Sequence, residues 1–108
     1  MIDISNTSSN QQQTIGKPVS IKGIGLHTGA EVTMKLYPAK IDYGIKFIRK
    51  DIKDNNVIEA LWSNVSSTKL STTISNKSGT SVSTIEHLMS ALSGLHIDNI
   101  KIEIDGPE

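Results

Sequence analysis

The alternation of apolar and polar residues in two segments constrains the fold of this chain more than any other feature. Residues 31–37 read EVTMKLY and residues 99–105 read NIKIEID, so every second side chain is apolar in both. A period of two places the apolar side chains on one face of a β-strand and the polar side chains on the other. Both segments are therefore predicted to be half-buried strands.

Weaker strand patterns lie between these two segments. Residues 44–49 and 57–61 are predicted as strands separated by a polar turn at 51–56, and residues 72–75 and 81–83 as a hairpin around 76–79. Residues 1–14 are predicted to form a flexible polar leader, because residues 5–14 contain no apolar side chain to bury.

One segment has the period of an α-helix. From about Thr84 to Leu95, apolar residues at positions 85, 88, 89, 92 and 95 form one stripe. Ser83 and Glu86 are predicted to form a capping box at its start, and Gly94 to mark its end. The order of elements predicts an α+β, two-layer domain in which the helix covers one face of a sheet of about five strands. The other face is either exposed to water or covered by chain beyond residue 108.

Composition excludes several classes of function. The 108 residues carry 11 basic and 11 acidic side chains and no cysteine, which predicts one small domain without disulfides or thiolate chemistry. A net charge of zero argues against nucleic-acid binding, which needs a basic surface. No apolar run approaches the roughly 20 residues of a membrane span, and the N-terminus does not resemble a signal peptide. We therefore expect a cytoplasmic protein.

Glu86 and His87 are candidate catalytic residues near the helix start. Helical geometry turns both away from the apolar stripe, His87 by about 120° or more from its centre. The positive end of the helix dipole favours a carboxylate and disfavours an imidazolium, so His87 could ligate a metal while Glu86 accepts a proton. A simpler interpretation stays open, in which Glu86 only completes the capping box and His87 is an ordinary exposed residue.

The other histidines do not complete a metal site in the sequence. His96 follows His87 by nine residues, about half a turn out of phase on a continuous helix. His27 lies in the glycine-rich segment 23–29, which matches neither of the common nucleotide-binding glycine patterns; a tight turn between strands is the alternative. A catalytic zinc needs three protein ligands and an open position, so other residues would have to complete a site at His87.

Four sequence blocks together resemble a known enzyme family. They are GIGLHTG at 23–29, LSTT at 70–73, STIEHL at 83–88 and GLHIDNI at 94–100. In this order and at these intervals they are similar to the UDP-3-O-acyl-N-acetylglucosamine deacetylases, the zinc amidases of lipid A (lipopolysaccharide) synthesis in Gram-negative bacteria. The resemblance extends over nearly all of the chain after about residue 14.

The resemblance implies roles for five residues. His87 matches the family's first zinc ligand, and Glu86 matches its general base, the carboxylate that takes a proton from water. His27 matches a histidine at the edge of the active-site cleft that helps to position the nucleotide-sugar part of the substrate. Leu70 and Ser71 match a strand whose main chain runs past the metal and shapes the substrate site.

The resemblance also implies that further chain is needed for activity. Family members have two similarly folded domains, and residues 15–108 match the first, up to a point before its second helix. The second domain carries the remaining zinc ligands, a catalytic histidine and a hydrophobic passage for the acyl chain. We therefore expect the 108-residue chain alone to be inactive, to bind zinc weakly and to self-associate through exposed apolar surface. His96 matches a position that is glycine in many members, so it is expected to be a surface residue without a catalytic role.

A non-enzymatic α+β binding or scaffold module is the competing interpretation. In that case Glu86 caps the helix and the glycine-rich segment is only a turn. A reading frame that continues with a His-x-x-x-Asp pair and a further histidine would favour the enzyme, whereas a stop codon after Glu108 would favour the module.

Overall fold

The computed structural model describes residues 4–6, 12–24, 29, 31–68, 72–83 and 85–108. In this part of the chain lie ten strands, one α-helix and a short 3-10 helix at Trp62–Asn64. The strands are β1 (Ile4–Asn6), β2 (Gln13–Ile15), β3 (Val19–Ile24), β4 (Glu31–Pro38), β5 (Ile45–Arg49), β6 (Val57–Glu59), β7 (Val65–Ser67), β8 (Thr73–Ser75), β9 (Ser81–Ser83) and β10 (Ile100–Ile104), and helix α1 spans Glu86–Gly94. Among these described residues no helix has the length and apolar character needed to cross a membrane.

A five-stranded sheet forms the larger layer, in the order β3-β4-β10-β5-β6. Strand β10 lies at its centre, antiparallel to β4 and parallel to β5. The register places Ile102 opposite both Leu36 and Phe47, and all three are buried. The two strands predicted from strict alternation are thus confirmed as neighbours in the middle of the sheet.

The core lies between one face of this sheet and α1. Ile85 and Leu92 from the helix segment join the buried cluster, and Leu88 and Met89 pack against it. The opposite face of the sheet carries the alternate, polar side chains of β4 and β10, such as Lys35. The α+β fold class is confirmed, with a helix on one face of the sheet and polar residues on the other.

A separate three-stranded antiparallel sheet contains β7, β8 and β9 in that order. The predicted hairpin between β8 and β9 is confirmed. The Asn76 side-chain oxygen closes its turn by accepting hydrogen bonds from the N–H groups of Ser78 and Thr80, at 3.0 and 3.1 Å. Gly79 has φ +86°, a left-handed conformation that favours glycine.

Arg49 connects the five-stranded sheet to the three-stranded sheet. Its Nη1 donates to the carbonyl oxygen of Ser81 at 2.9 Å, and its Nε donates to Oδ1 of Asp51 at 3.0 Å. This hydrogen bond from Arg49 lowers the pKa of Asp51 below its ordinary value, against a smaller opposing effect of burial. The arginine thereby links the end of β5 to the start of β9.

Gln12 and Gln13, in the segment for which a flexible leader is predicted, contact the segment before β10. The N–H of Gln13 donates to Oδ2 of Asp98 at 2.9 Å, and Oε1 of Gln12 accepts from Nδ2 of Asn99 at 2.8 Å. Thr14 is buried, and β2 pairs with β1. These polar residues are ordered by hydrogen bonds to the segment before β10, which compensate for their lack of apolar side chains.

The predicted capping box at the start of the helix is wrong. Helix α1 begins at Glu86, its N-cap residue is Ile85, and no side chain caps it. Ser83 belongs to β9, where its hydroxyl lies 2.8 Å from that of Thr73. The hydroxyl group that was expected to cap the helix is therefore used in a cross-strand hydrogen bond.

The helix ends at Gly94, as predicted, but the left-handed residue that follows is His96, with φ +58°. Its N–H donates to the carbonyl of Ser93, and that of Ile97 donates to the carbonyl of Leu92, at 3.1 and 2.9 Å. This pair of hydrogen bonds is a Schellman motif. It directs the chain away from the helix axis, so Leu95 is exposed although it continues the apolar stripe in the sequence.

Candidate active site

His87 lies in the first turn of α1 with its side chain exposed, as predicted from the helical period. It lines a cavity of about 400 Å³ between the helix and the five-stranded sheet. Apolar residues form most of the wall, among them Met34, Phe47 and Leu88. An exposed imidazole at the edge of an apolar cavity is available to a metal or a substrate.

Glu86 is half-buried and faces the three-stranded sheet. Its Oε1 accepts a hydrogen bond from the N–H of Thr72 at 3.3 Å. Its Oε2 is buried and has no hydrogen-bond partner among the described residues. An unpaired buried polar atom costs about 1–3 kcal/mol, and more when charged, so Oε2 calls for a partner beyond the described residues.

A second cavity, of about 310 Å³, lies on the Glu86 side of the helix. Thr72, Leu61 and Met89 contribute to its mostly apolar wall. Ile85 lines both cavities. The consecutive residues Glu86 and His87 therefore line two different cavities that share Ile85 in their walls. The prediction that both point away from the core therefore holds for His87, whereas Glu86 packs partly against β8.

Three predicted site residues, His27, Leu70 and Ser71, lie outside the described residues. Described residues close to them in the sequence line the two cavities. Gly23, four residues before His27, lines the His87 cavity, and Thr72 lines the Glu86 cavity.

The residues present fit one position of a metal site. His87 offers an exposed imidazole, and Glu86 precedes it in the sequence, but no group of three or more histidine or acidic residues in the described ranges could hold a metal ion. His96 is exposed at the opposite end of α1 and does not join His87, as predicted. A complete zinc site therefore needs ligands beyond those described here.

Thr72 is a site residue that the sequence did not identify. It contacts Glu86 through its main-chain N–H, and every residue except proline carries that donor. The only sequence signal is its position within the LSTT block, directly after Leu70 and Ser71.

The fold and the site define a class of protein: an α+β domain whose helix begins with a glutamate and a histidine in succession, two residue types that metal-dependent hydrolases use. The sequence profile of the family described as UDP-3-O-acyl N-acetylglycosamine deacetylase matches residues 12–108. The chain belongs to this family.

Individual members of the family are similar over most of the chain. The UDP-3-O-acyl-N-acetylglucosamine deacetylase of Syntrophotalea carbinolica is 55% identical over 97 residues, which cover 90% of this chain and 31% of that protein. The enzyme of the same name from Myxococcus xanthus is 48% identical over 94% of this chain and 32% of its own length, and that of Geobacter sp. strain M21 is 54% identical over 90% and 32%. The chain thus spans about a third of the length of these curated relatives.

Proposed function

We propose that this chain supplies the N-terminal part of a zinc-dependent deacetylase that removes the N-acetyl group from UDP-3-O-acyl-N-acetylglucosamine in lipid A biosynthesis. Family membership and the names of the relatives support this activity. The single structural observation that carries it is the buried Oε2 of Glu86, which has no partner among the described residues, next in the sequence to the exposed His87. The assignment of residues 15–108 to the first of two domains, a Gram-negative source and a cytoplasmic location belong to the same proposal and rest on the resemblance.

His87 would provide one nitrogen ligand to zinc, and residues outside those described would provide the others. When bound, zinc acidifies water and polarises the acetamide carbonyl group. Glu86 lies next to this ligand in the sequence and accepts a hydrogen bond from Thr72, which supports a place for its carboxylate near the metal.

Glu86 acts as the general base in this proposal. It takes a proton from water as the water oxygen forms a bond to the acetamide carbonyl carbon. The carbon–nitrogen bond then breaks, the nitrogen receives a proton from a second acid, and acetate and the free amine are released. That second acid is expected outside the described residues.

His27, Leu70 and Ser71 are proposed to contact the nucleotide-sugar substrate. Their neighbours Gly23 and Thr72 line the two cavities, which supports a place for all three near the reacting group. The competing binding-module interpretation used Glu86 as a helix cap, and the hydrogen bond to Thr72 takes that support away.

A chimeric enzyme tests the proposal. Residues 12–108 would replace the corresponding third of the Syntrophotalea carbinolica deacetylase, and deacetylation would be followed by acetate release. We expect Glu86→Gln to lower kcat by about 10²- to 10⁴-fold, or roughly 3 to 5 kcal/mol of barrier, because the amide keeps the shape of the carboxylate but cannot take the proton. His96→Gln is the control and should leave kcat unchanged. Undiminished turnover in the Glu86→Gln chimera would remove Glu86 from the mechanism.

A further inference from the structure

The main chain of Thr72 contacts the start of α1 at two points. Its N–H donates to Oε1 of Glu86 at 3.3 Å, and its carbonyl oxygen accepts from the N–H of Ile85 at 3.4 Å. The residue directly before β8 therefore binds two consecutive residues of the helix segment. These contacts fix both the position of the helix start and the orientation of the Glu86 carboxylate.

Thr72 is itself held by the strands around it. The next residue, Thr73, pairs through its hydroxyl group with Ser83 of β9 at 2.8 Å, and the Ser83 N–H donates to the carbonyl oxygen of Pro107 at 2.7 Å. The β8–β9 hairpin is thus attached to the segment that follows β10. A donor placed on such a framework can restrain a carboxylate with little motion of its own.

The two oxygens of Glu86 have different surroundings. Oε1 accepts the Thr72 hydrogen bond, whereas Oε2 is buried and unpartnered within the described residues. Because the Thr72 N–H occupies one oxygen of the carboxylate, Oε2 is the oxygen left to accept a hydrogen bond from water.

We propose that the main-chain N–H of Thr72 positions Glu86 for catalysis by fixing Oε1, which leaves Oε2 as the atom that takes the proton. This inference rests on the proposed function and adds to it the proton-accepting atom and the group that orients it. One O–H bond of water breaks and its proton forms an O–H bond with Oε2. The electron pair left on the water oxygen forms the new bond to the acetamide carbonyl carbon. Thr72 is a positioning residue, since it acts only through Glu86.

The test removes the Thr72 N–H in the same chimeric enzyme. Replacing residue 72 by the corresponding α-hydroxy acid converts the amide to an ester and deletes the donor without changing the side chain. Thr72→Pro deletes it by ordinary mutagenesis, and Thr72→Ala, which keeps it, is expected to lose less activity than either. Each change is also made in a Glu86→Gln background, with kcat, KM and zinc content measured for all variants.

We expect the ester to lower kcat by about 10- to 100-fold, with KM within about twofold of the parent. Zinc content should be unchanged, and the ester should cause no further loss in the Glu86→Gln background. An unchanged kcat, an equal loss in both backgrounds, or a loss of zinc or of the folded state in the ester variant would overturn the inference. Full activity of Glu86→Gln alone would instead overturn the proposed function, so the two failures are distinguishable.

Discussion

His96 adopts a backbone conformation that is unfavourable for a residue with a side chain. It occupies the left-handed position of the Schellman motif with φ +58°, where a side chain costs about 1–2 kcal/mol that glycine avoids. We expect His96→Gly to raise the free energy of unfolding by about 0.5–1 kcal/mol, because part of this gain is lost to the greater freedom of glycine in the unfolded chain. Urea unfolding monitored by circular dichroism measures the change.

Ala91→Gly is the matched control for this substitution. Ala91 lies within α1 and is exposed, so glycine there should lower the free energy of unfolding by about 1 kcal/mol. Opposite signs for the two glycine substitutions are the expected result. A loss of stability in His96→Gly would contradict the interpretation of the helix end.

The exposure of His87 was predictable because the helical period turns it away from the apolar stripe, whereas the half-buried position of Glu86 was not. The contact that holds Glu86 was not predictable, because a main-chain N–H has no signature in the sequence. Ser83 illustrates the reverse error: its spacing to Glu86 fits a capping box, but its hydroxyl is bonded to Thr73. Local spacing cannot show which of two competing partners a hydroxyl group takes.

At the scale of elements, the chain that follows β10 packs closely against β4 at Gly106. Gly106 is buried directly after β10, and a Cβ atom added there would lie 2.6 Å from Cγ1 of Val32 in β4. We expect Gly106→Ala to lower the free energy of unfolding by about 1–3 kcal/mol, because the half-buried, β-branched side chain of Val32 must move. Equilibrium unfolding of the single variants and of Gly106→Ala/Val32→Ala measures the coupling.

The double variant should recover part of the stability lost in Gly106→Ala, since Val32→Ala removes the atom in contact. Gly94→Ala serves as the control, because nothing lies within 4 Å of its added Cβ and alanine favours the helix. If Gly106→Ala were as stable as the parent, the close packing of these strands would be disproved.

Elements with a strong local period were predictable, and those ordered by distant contacts were not. Strands β4 and β10 and helix α1 follow from apolar residues repeated over seven or more positions. Strand β2 has no such pattern and depends on two hydrogen bonds, one donated by Gln13 to Asp98 and one accepted by Gln12 from Asn99. The three-residue strand β7 is too short for a period to be visible.

At the scale of the whole molecule, apolar side chains remain exposed around both cavities. Ile21 is 41% exposed at the His87 cavity, and Leu61 is 51% exposed at the Glu86 cavity. Exposed apolar side chains of this kind favour association. We expect the 108-residue chain on its own to self-associate, with a sedimentation coefficient that rises with concentration.

Substitutions at the cavities test whether the association depends on the cavity residues or on exposed apolar residues in general. Ile21→Ser/Leu61→Ser is expected to reduce the association, whereas Leu95→Ser, at an exposed residue that lines neither cavity, should not. A single monomeric species at all concentrations would contradict the prediction.

The zinc content of the chimeric enzyme tests the central claim most directly, because that claim is that His87 binds the catalytic metal beside Glu86. We expect about one zinc ion per chain in the parent chimera and strongly reduced zinc in His87→Ala, since loss of one of three ligands weakens a catalytic site. His96→Ala should retain the metal, and the 108-residue chain alone should bind zinc only weakly. Undiminished, stoichiometric zinc in the His87→Ala chimera would contradict the claim.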